Sequence, residues 1–196
     1  MSLKTISNNE MDFILTIFKS PEIEYNASSI SRQLKISSMG ALKIAKKLEK
    51  EEILSSKQLG RAKFYKLNLN NEYVKQYVKF LLKKESEQAS AYVKRWINEI
   101  KKIKNADLAV LYGSVLKKYE KANDIDILLI TDKKRFSKLK KEIGEINLIN
   151  VKKVHPMYQT KIDFKKNIEK KHEPILDAIK GFVVFGEDTL INLLKK

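Results

Sequence analysis

Two aspartates one residue apart, Asp124-Ile125-Asp126, follow the pair Gly113-Ser114 after nine intervening residues. The Gly-Ser pair closes one apolar run, Leu108 to Leu111, and the aspartates open another, Ile125 to Ile130; both read as buried strands. In a strand, residues two apart point to the same face, so Asp124 and Asp126 would present two carboxylates to one small volume. Like charges that close call for a cation. Carboxylates are hard oxygen ligands of the kind Mg²⁺ or Mn²⁺ takes, and a metal held on them can also grip the phosphates of a nucleoside triphosphate. Gly113 and Ser114 would let backbone N–H groups approach a phosphate with no Cβ in the way. The competing reading is a strand that simply opens on solvated aspartates.

The stretch Leu111-Tyr112-Gly113-Ser114…Asp124-Ile125-Asp126 resembles the signature of the polymerase beta-like nucleotidyltransferase superfamily, in the form seen in minimal nucleotidyltransferases. The resemblance implies catalytic and metal-binding roles for Asp124 and Asp126, nucleotide contacts at Gly113 and Ser114, and Mg²⁺ or Mn²⁺ with a nucleoside triphosphate as cofactor. The chain also departs from the family pattern. Lys117-Lys118 stands where Arg-Gly is common, and Asn123 where a Ser usually precedes the first Asp. The family further places a third carboxylate on the next strand, as base toward the acceptor hydroxyl. The next apolar segment, Ile146 to Val154, reads as that strand but offers Asn147 and Asn150, followed by Lys152, Lys153 and His155; Glu145 and Asp163 only flank it. His155 and His172 have no ligand-like spacing and read as structural or surface residues.

The first 68 residues follow a different pattern. Glu10 to Lys19 has apolar residues at helical spacing and ends before Pro21; a second helix starts at Asn26 or Ser28 and runs through Ile30 and Leu34 to a turn at Lys35-Ile36-Ser37. Ser38 to Glu52 carries Ala41, Ile44, Ala45 and Leu48 on one face and Lys43, Lys47 and Lys50 on the other, with Lys46 beside them. Two alternating runs around Gly60-Arg61 read as a β-hairpin with a basic tip. This order resembles the winged helix-turn-helix of archaeal and bacterial regulators of the MarR or ArsR kind. The resemblance implies double-stranded DNA as partner, with Ser37, Ser38, Met39 and Lys43 nearest base edges and Lys46, Lys47, Arg61 and Lys63 available to phosphates. A solvated lysine face, or a protein-binding winged helix, is the alternative.

Between these modules no Gly or Pro occurs from residue 62 to residue 112. Asn71 to Lys84 and Ser90 to Ile103 are both helical in pattern, either as one long helix or as two with a break at the polar centre. The stripe Tyr73, Tyr77, Phe80 reads as a packing face and a dimer contact. After the Asp-Ile-Asp strand come a basic helix, Lys133 to Glu142, the third strand, a helix from Phe164 to Ile179 broken near Pro174, a strand at Phe182 to Phe185, and a last helix, Thr189 to Leu194, entered through the turn Gly186-Glu187-Asp188.

These elements make an α+β chain of two domains with a small mixed sheet in the second: a winged helix at 1–68, a helical connector at 69–105 and a nucleotidyltransferase-like domain at 106–196. Of the 196 residues, 40 are Lys or Arg and 24 are Asp or Glu, a net charge of +16 that favours a polyanionic partner. The surplus is spread through all three segments, so it is no basic tail, and its nearly all-Lys character fits a compositional bias equally well. With no cysteine there is no disulfide framework, thiolate metal site or Cys nucleophile. No apolar run reaches membrane length, and the chain reads as cytoplasmic. The expected function is a dimeric transcriptional regulator whose second domain binds metal-nucleotide with weak or no transfer. The alternative is an active Mg²⁺-dependent enzyme moving a nucleoside monophosphate onto a protein or RNA hydroxyl, with a small helical toxin-like protein as a further partner.

Overall fold

The computed structural model describes residues 7–195; residues 1–6, expected to begin the winged helix, and residue 196 lie outside the described residues. The chain is α+β, and it divides into two units, one running to Leu81 and the other from Leu82 to Leu194.

In the first unit, local capping chemistry sets the helix starts. Ser7 accepts from the Glu10 N–H while Glu10 reaches back to the Ser7 N–H, a capping box that starts α1 (Asn8–Lys19). After the two-residue strand β1 (Tyr25–Asn26), Asn26 and Ser29 form a second such box at the head of α2 (Ala27–Leu34). Lys35 then takes the left-handed conformation, φ 54°, which turns the chain sharply into α3 (Ser38–Lys50). Strands β2 (Leu54–Leu59) and β3 (Ala62–Leu67) form the hairpin, turned at Gly60, and β3 also pairs with β1 in the sheet order β1-β3-β2. Phe13, Ile14, Ile30, Leu48 and Ile53 are fully buried between the helices and this sheet. Burial of each such side chain is worth about 1.5–3 kcal/mol, which makes this apolar face the main force that holds the helices on the wing. The result is the helix, helix, turn, helix, hairpin order of a winged helix.

Residues 69–105 form two helices, α4 (Glu72–Glu87) and α5 (Ala91–Ile100), separated at the polar centre by a break that Ser90 re-caps. Tyr73 and Phe80 on α4 are exposed, while Tyr77 is half-buried. Burial, aided by the negative charge of Glu10, pushes the Tyr77 hydroxyl up to about 12. A phenol whose folded pKa lies above its ordinary value of about 10 stabilises the fold below pH 10, and this contribution is lost as pH rises through 12. Denaturant midpoints measured at pH 9 and pH 11.5 should therefore differ less in Tyr77→Phe than in the parent protein.

The second unit has the order α5, β4 (Leu108–Tyr112), α6 (Val115–Lys118), β5 (Ile125–Ile130), α7 (Phe136–Ile149), β6 (Val154–Gln159), α8 (Lys161–Glu169), α9 (Glu173–Ala178), β7 (Phe182–Phe185) and α10 (Glu187–Leu194). Its sheet runs β6-β5-β4-β7; β5 and β6 are parallel and the other pairs antiparallel, so the sheet is mixed. Val93, Trp96, Ile97 and Ile100 of α5 pack with Ala109, Leu111, Ile127 and Leu129 of the sheet and with Leu139, Ile143 and Ile146 of α7. The second half of the expected connector is thus part of this core.

One expected element is overturned. Ile146 to Ile149 is not strand but the last turn of α7, and the third strand begins only at Val154. Leu139, Ile143, Ile146 and Asn150 follow helical spacing and are buried, whereas Leu148 and Ile149 point outward and are exposed. Those two exposed apolar residues are what made the segment resemble a strand. The amides that looked misplaced in a strand have structural work instead. Asn147 accepts from the Val154 N–H at 2.7 Å and donates to its carbonyl at 3.2 Å, fixing the start of β6, and the Asn150 amide donates to the Ile146 carbonyl at 2.9 Å.

Candidate functional site

Strand pairing assembles the site around Asp126. On one side Tyr112, the last residue of β4, stands opposite Asp126 in the antiparallel register. The next residue, Gly113, has φ +81°, and a Cβ there would lie 2.2 Å from the Asp126 Oδ2. Only glycine meets both the backbone angle and the close approach. On the other side β6 sets His155 opposite Asp126, and Asp124 lies just ahead of β5. A carboxylate oxygen from each of Asp124 and Asp126 and an imidazole nitrogen of His155 all lie within 4.8 Å of one another. The His155 Nδ1 is 3.9 Å from the Asp126 Oδ1.

The electrostatics of this group are those of a site short of positive charge. Burial pushes the Asp126 carboxyl up, the Asp124 charge pushes it further, and His155 opposes both. Burial also raises the Tyr112 hydroxyl, with the charges of Asp126 and Asp124 adding to it. Nearby lysines do not answer that charge. Lys152 donates to the Ala122 carbonyl, and Lys153 donates to the carbonyls of Asn147 and Asn150. Two half-buried carboxylates facing one small volume, with no ammonium among the described residues paired to them, fit a divalent metal.

Of the residues expected at the site, Asp124, Asp126 and Gly113 lie close together. Ser114 follows Gly113 at the head of α6, where its hydroxyl makes no capping bond. The flanking acids do not join them. Glu145 is exposed on α7, and Asp163 lies in the first turn of α8, where it accepts the Thr160 hydroxyl at 2.7 Å. His155 is the residue that the sequence reading set aside and the fold brings in. Its local signal was weak because Pro156 follows it and Lys152 and Lys153 come shortly before it, yet Pro is tolerated on an edge strand such as β6.

Residues 94–180 match the family model described as polymerase beta, nucleotidyltransferase. The match begins in α5, takes in the whole Asp124, Asp126 and His155 group, and ends just before β7. None of the curated proteins matches the chain. Among solved structures, a variant of Lactococcus lactis ZitR is similar at 16% identity over 52% of this chain and 62% of its own, with a TM-score of 0.35. The chain thus spans less than two thirds of that protein's length. The adhesin competence repressor AdcR from Streptococcus pyogenes is similar at 14% identity over 52% of this chain and 81% of its own, with a TM-score of 0.36. A further ZitR structure, described as a zinc-responsive MarR family member, has 15% identity and a TM-score of 0.30 over 52% of this chain. At such scores any contact with DNA has to be argued from this chain's own residues.

Those residues divide into two sets. Ser37 caps α3 by accepting from the Gly40 N–H at 3.0 Å, and the Ser38 hydroxyl lies 3.2 Å from that of Ser31. Lys47 is bonded to Glu10, a contact that raises its pKa, and Lys63 pairs with Glu49 at 2.7 Å, which likewise holds the Glu49 carboxyl low. Glu49 also accepts from Ser56, so it ties α3 to both strands of the wing. Met39, Lys43, Lys46 and Arg61 are exposed.

The close approach at Gly113 makes a test. Gly113→Ala places a methyl against the Asp126 carboxylate and forces a strained φ, which together should cost about 1–3 kcal/mol and turn Asp126 out of line. A melting curve should show the loss, and the stabilisation by added metal and nucleotide should vanish. Unchanged stabilisation would mean that the Asp126 side chain can move aside and still hold the metal.

Proposed function

We propose that the protein is a cytoplasmic, dimeric winged-helix regulator of transcription. In this reading α3 and the wing bind double-stranded DNA, and the second domain holds a divalent metal and a nucleoside triphosphate. The observation that carries it is the pair of half-buried carboxylates, Asp124 and Asp126, set against the bare backbone of Gly113 within a segment that matches a nucleotidyltransferase model. Asp124 and Asp126 would hold the metal, which when bound supplies Lewis-acid polarisation of a phosphoryl oxygen. Gly113 lets the Asp126 carboxylate close against its backbone, and Ser114 offers a phosphate a hydroxyl that caps no helix. Strand pairing on both sides fixes the backbone that carries Asp126.

General-base assistance contributes about 10²- to 10⁴-fold to a transfer rate. Among the described residues no third carboxylate joins the group that would give it. Incubation with labelled nucleoside triphosphates, Mg²⁺ or Mn²⁺, and protein or RNA acceptors should accordingly show bound nucleotide and little transferred label. The intact Gly-Ser and Asp-x-Asp group favours one other reading, an active enzyme that moves a nucleoside monophosphate onto a protein or RNA hydroxyl. Robust transfer that disappears in Asp124→Asn would replace the first reading by the second. The comparisons lend no support to a toxin-like partner.

A further inference from the structure

We propose that Asp124, Asp126 and His155 form a three-ligand site that binds a first-row transition-metal dication, such as Mn²⁺ or Co²⁺, in preference to Mg²⁺. The inference rests on the reading above, in which Asp124 and Asp126 are metal ligands, and adds a third ligand with its consequence for the choice of metal.

Three observations carry it. First, residues opposite one another on neighbouring strands share a face of the sheet, so the parallel register that pairs Asp126 with His155 sends both side chains to the same side. That register is anchored close by, because Asn147 holds both the N–H and the carbonyl of Val154, the residue before His155.

Second, the donor atoms are near the spacing a metal needs. With ligand bonds of about 2.0–2.2 Å, neighbouring donors around a metal stand roughly 3.0–3.5 Å apart. The His155 Nδ1 and Asp126 Oδ1 are 3.9 Å apart, and the whole group lies within 4.8 Å. His155 has 80% of its side chain exposed, so a small ring rotation closes the difference without disturbing the core.

Third, the donor set is mixed. Two carboxylates alone suit Mg²⁺, which takes oxygen ligands and gives up its waters reluctantly. An imidazole nitrogen adds little for Mg²⁺ but suits the borderline transition metals, whose affinity for such a site rises from Mn²⁺ through Co²⁺. A merely structural histidine would be expected to be packed or hydrogen-bonded away from the carboxylates. Here an exposed imidazole at a strand edge turns toward a carboxylate pair that Lys152 and Lys153 leave unneutralised.

The test uses the full chain and the metal alone, without nucleotide. Mn²⁺ binding is followed by loss of the free-ion electron paramagnetic resonance signal, Co²⁺ binding by calorimetry and visible absorption, and Mg²⁺ by competition against Mn²⁺. The parent protein should bind Co²⁺ and Mn²⁺ more tightly than Mg²⁺. His155→Ala should weaken Co²⁺ by at least the roughly 10- to 100-fold that loss of a supporting partner costs, with a much smaller change for Mg²⁺. His155→Asp, which restores an all-oxygen set, should move the preference back toward Mg²⁺. A Co²⁺ to Mg²⁺ affinity ratio unchanged in His155→Ala overturns the proposal. If metal binding is at the same time lost on replacing Asp124 and Asp126, the metal-binding reading stands and only the third ligand falls. If the parent protein binds no metal, with or without nucleotide, both fall.

Discussion

With Asp124 and Asp126 both replaced by Asn, the melting temperature should no longer rise when Mn²⁺ and a nucleoside triphosphate are added. In the parent protein, a ligand that binds only the folded state and is present at a hundred times its Kd stabilises by about 2.7 kcal/mol. For a chain of this size that is a rise on the order of 5–10 °C. Asn keeps the shape of Asp and removes its charge, so the substitution deletes the metal ligands while leaving the strand pairing of β4, β5 and β6 intact. The metal-free variant supplies the control. A carboxyl raised by burial and by a neighbouring negative charge favours the fold while protonated, and that contribution is lost as pH rises through its raised value. Above that raised value an ionised Asp126 costs stability, and the Asn variant should melt no lower than the parent without metal. A lower metal-free melting point would point to damage to the fold, and the lost shift would then say nothing about ligands. No shift in the parent at millimolar metal and nucleotide would leave the second domain as a scaffold only.

The carboxylate pair was legible because both of its supports are local. Two apolar runs of strand length, a glycine at the end of the first and alternate aspartates at the start of the second place Asp124, Asp126 and Gly113 without knowledge of the rest of the sheet. The winged helix was legible for the same reason, since capping residues, helical spacing and a glycine turn all act within a few positions. His155 was hidden because its partner lies 29 residues earlier and meets it only through a parallel pairing across α7. Period alone could have found the error upstream. Leu139, Ile143, Ile146 and Asn150 form one continuous helical stripe, and a strand, a helix and then a short run beginning with Val154 make a βαβ unit whose next strand must lie beside β5. The outward-facing Leu148 and Ile149 outweighed that stripe in a reading that took apolar for buried. The same kind of limit applied to α3. A helix face rich in lysine looks uniform in sequence, and only packing reveals that Lys47 reaches Glu10 while Lys43 and Lys46 remain exposed.

That division sets the largest expected effect on DNA binding. Neutralising Lys43, Lys46 and Arg61 together, by Gln substitution, should remove about three phosphate contacts per chain if α3 and the wing lie along a duplex. Each contact on duplex DNA contributes about 0.9 to the slope of log affinity against log salt, so the slope should flatten by nearly three units per chain. The same arithmetic lowers affinity on the order of several hundredfold at 0.1 M salt. Lys47→Gln and Lys63→Gln should do far less to the slope, because Glu10 and Glu49 already hold those ammonium groups. The partly exposed Lys63–Glu49 pair is worth at most about 1 kcal/mol, whereas Glu10 is buried, so Lys47→Gln leaves its carboxylate without a partner and should also lower the melting point. Titrating a duplex from low to moderate salt measures all three variants, and the stoichiometry at saturation reports whether two chains bind as the dimer reading requires. An equal effect from the paired and the exposed lysines would mean that the charge acts only as a general field. An unchanged slope in the triple variant would remove α3 and the wing from DNA binding, and would leave the net charge of +16 as a property of composition.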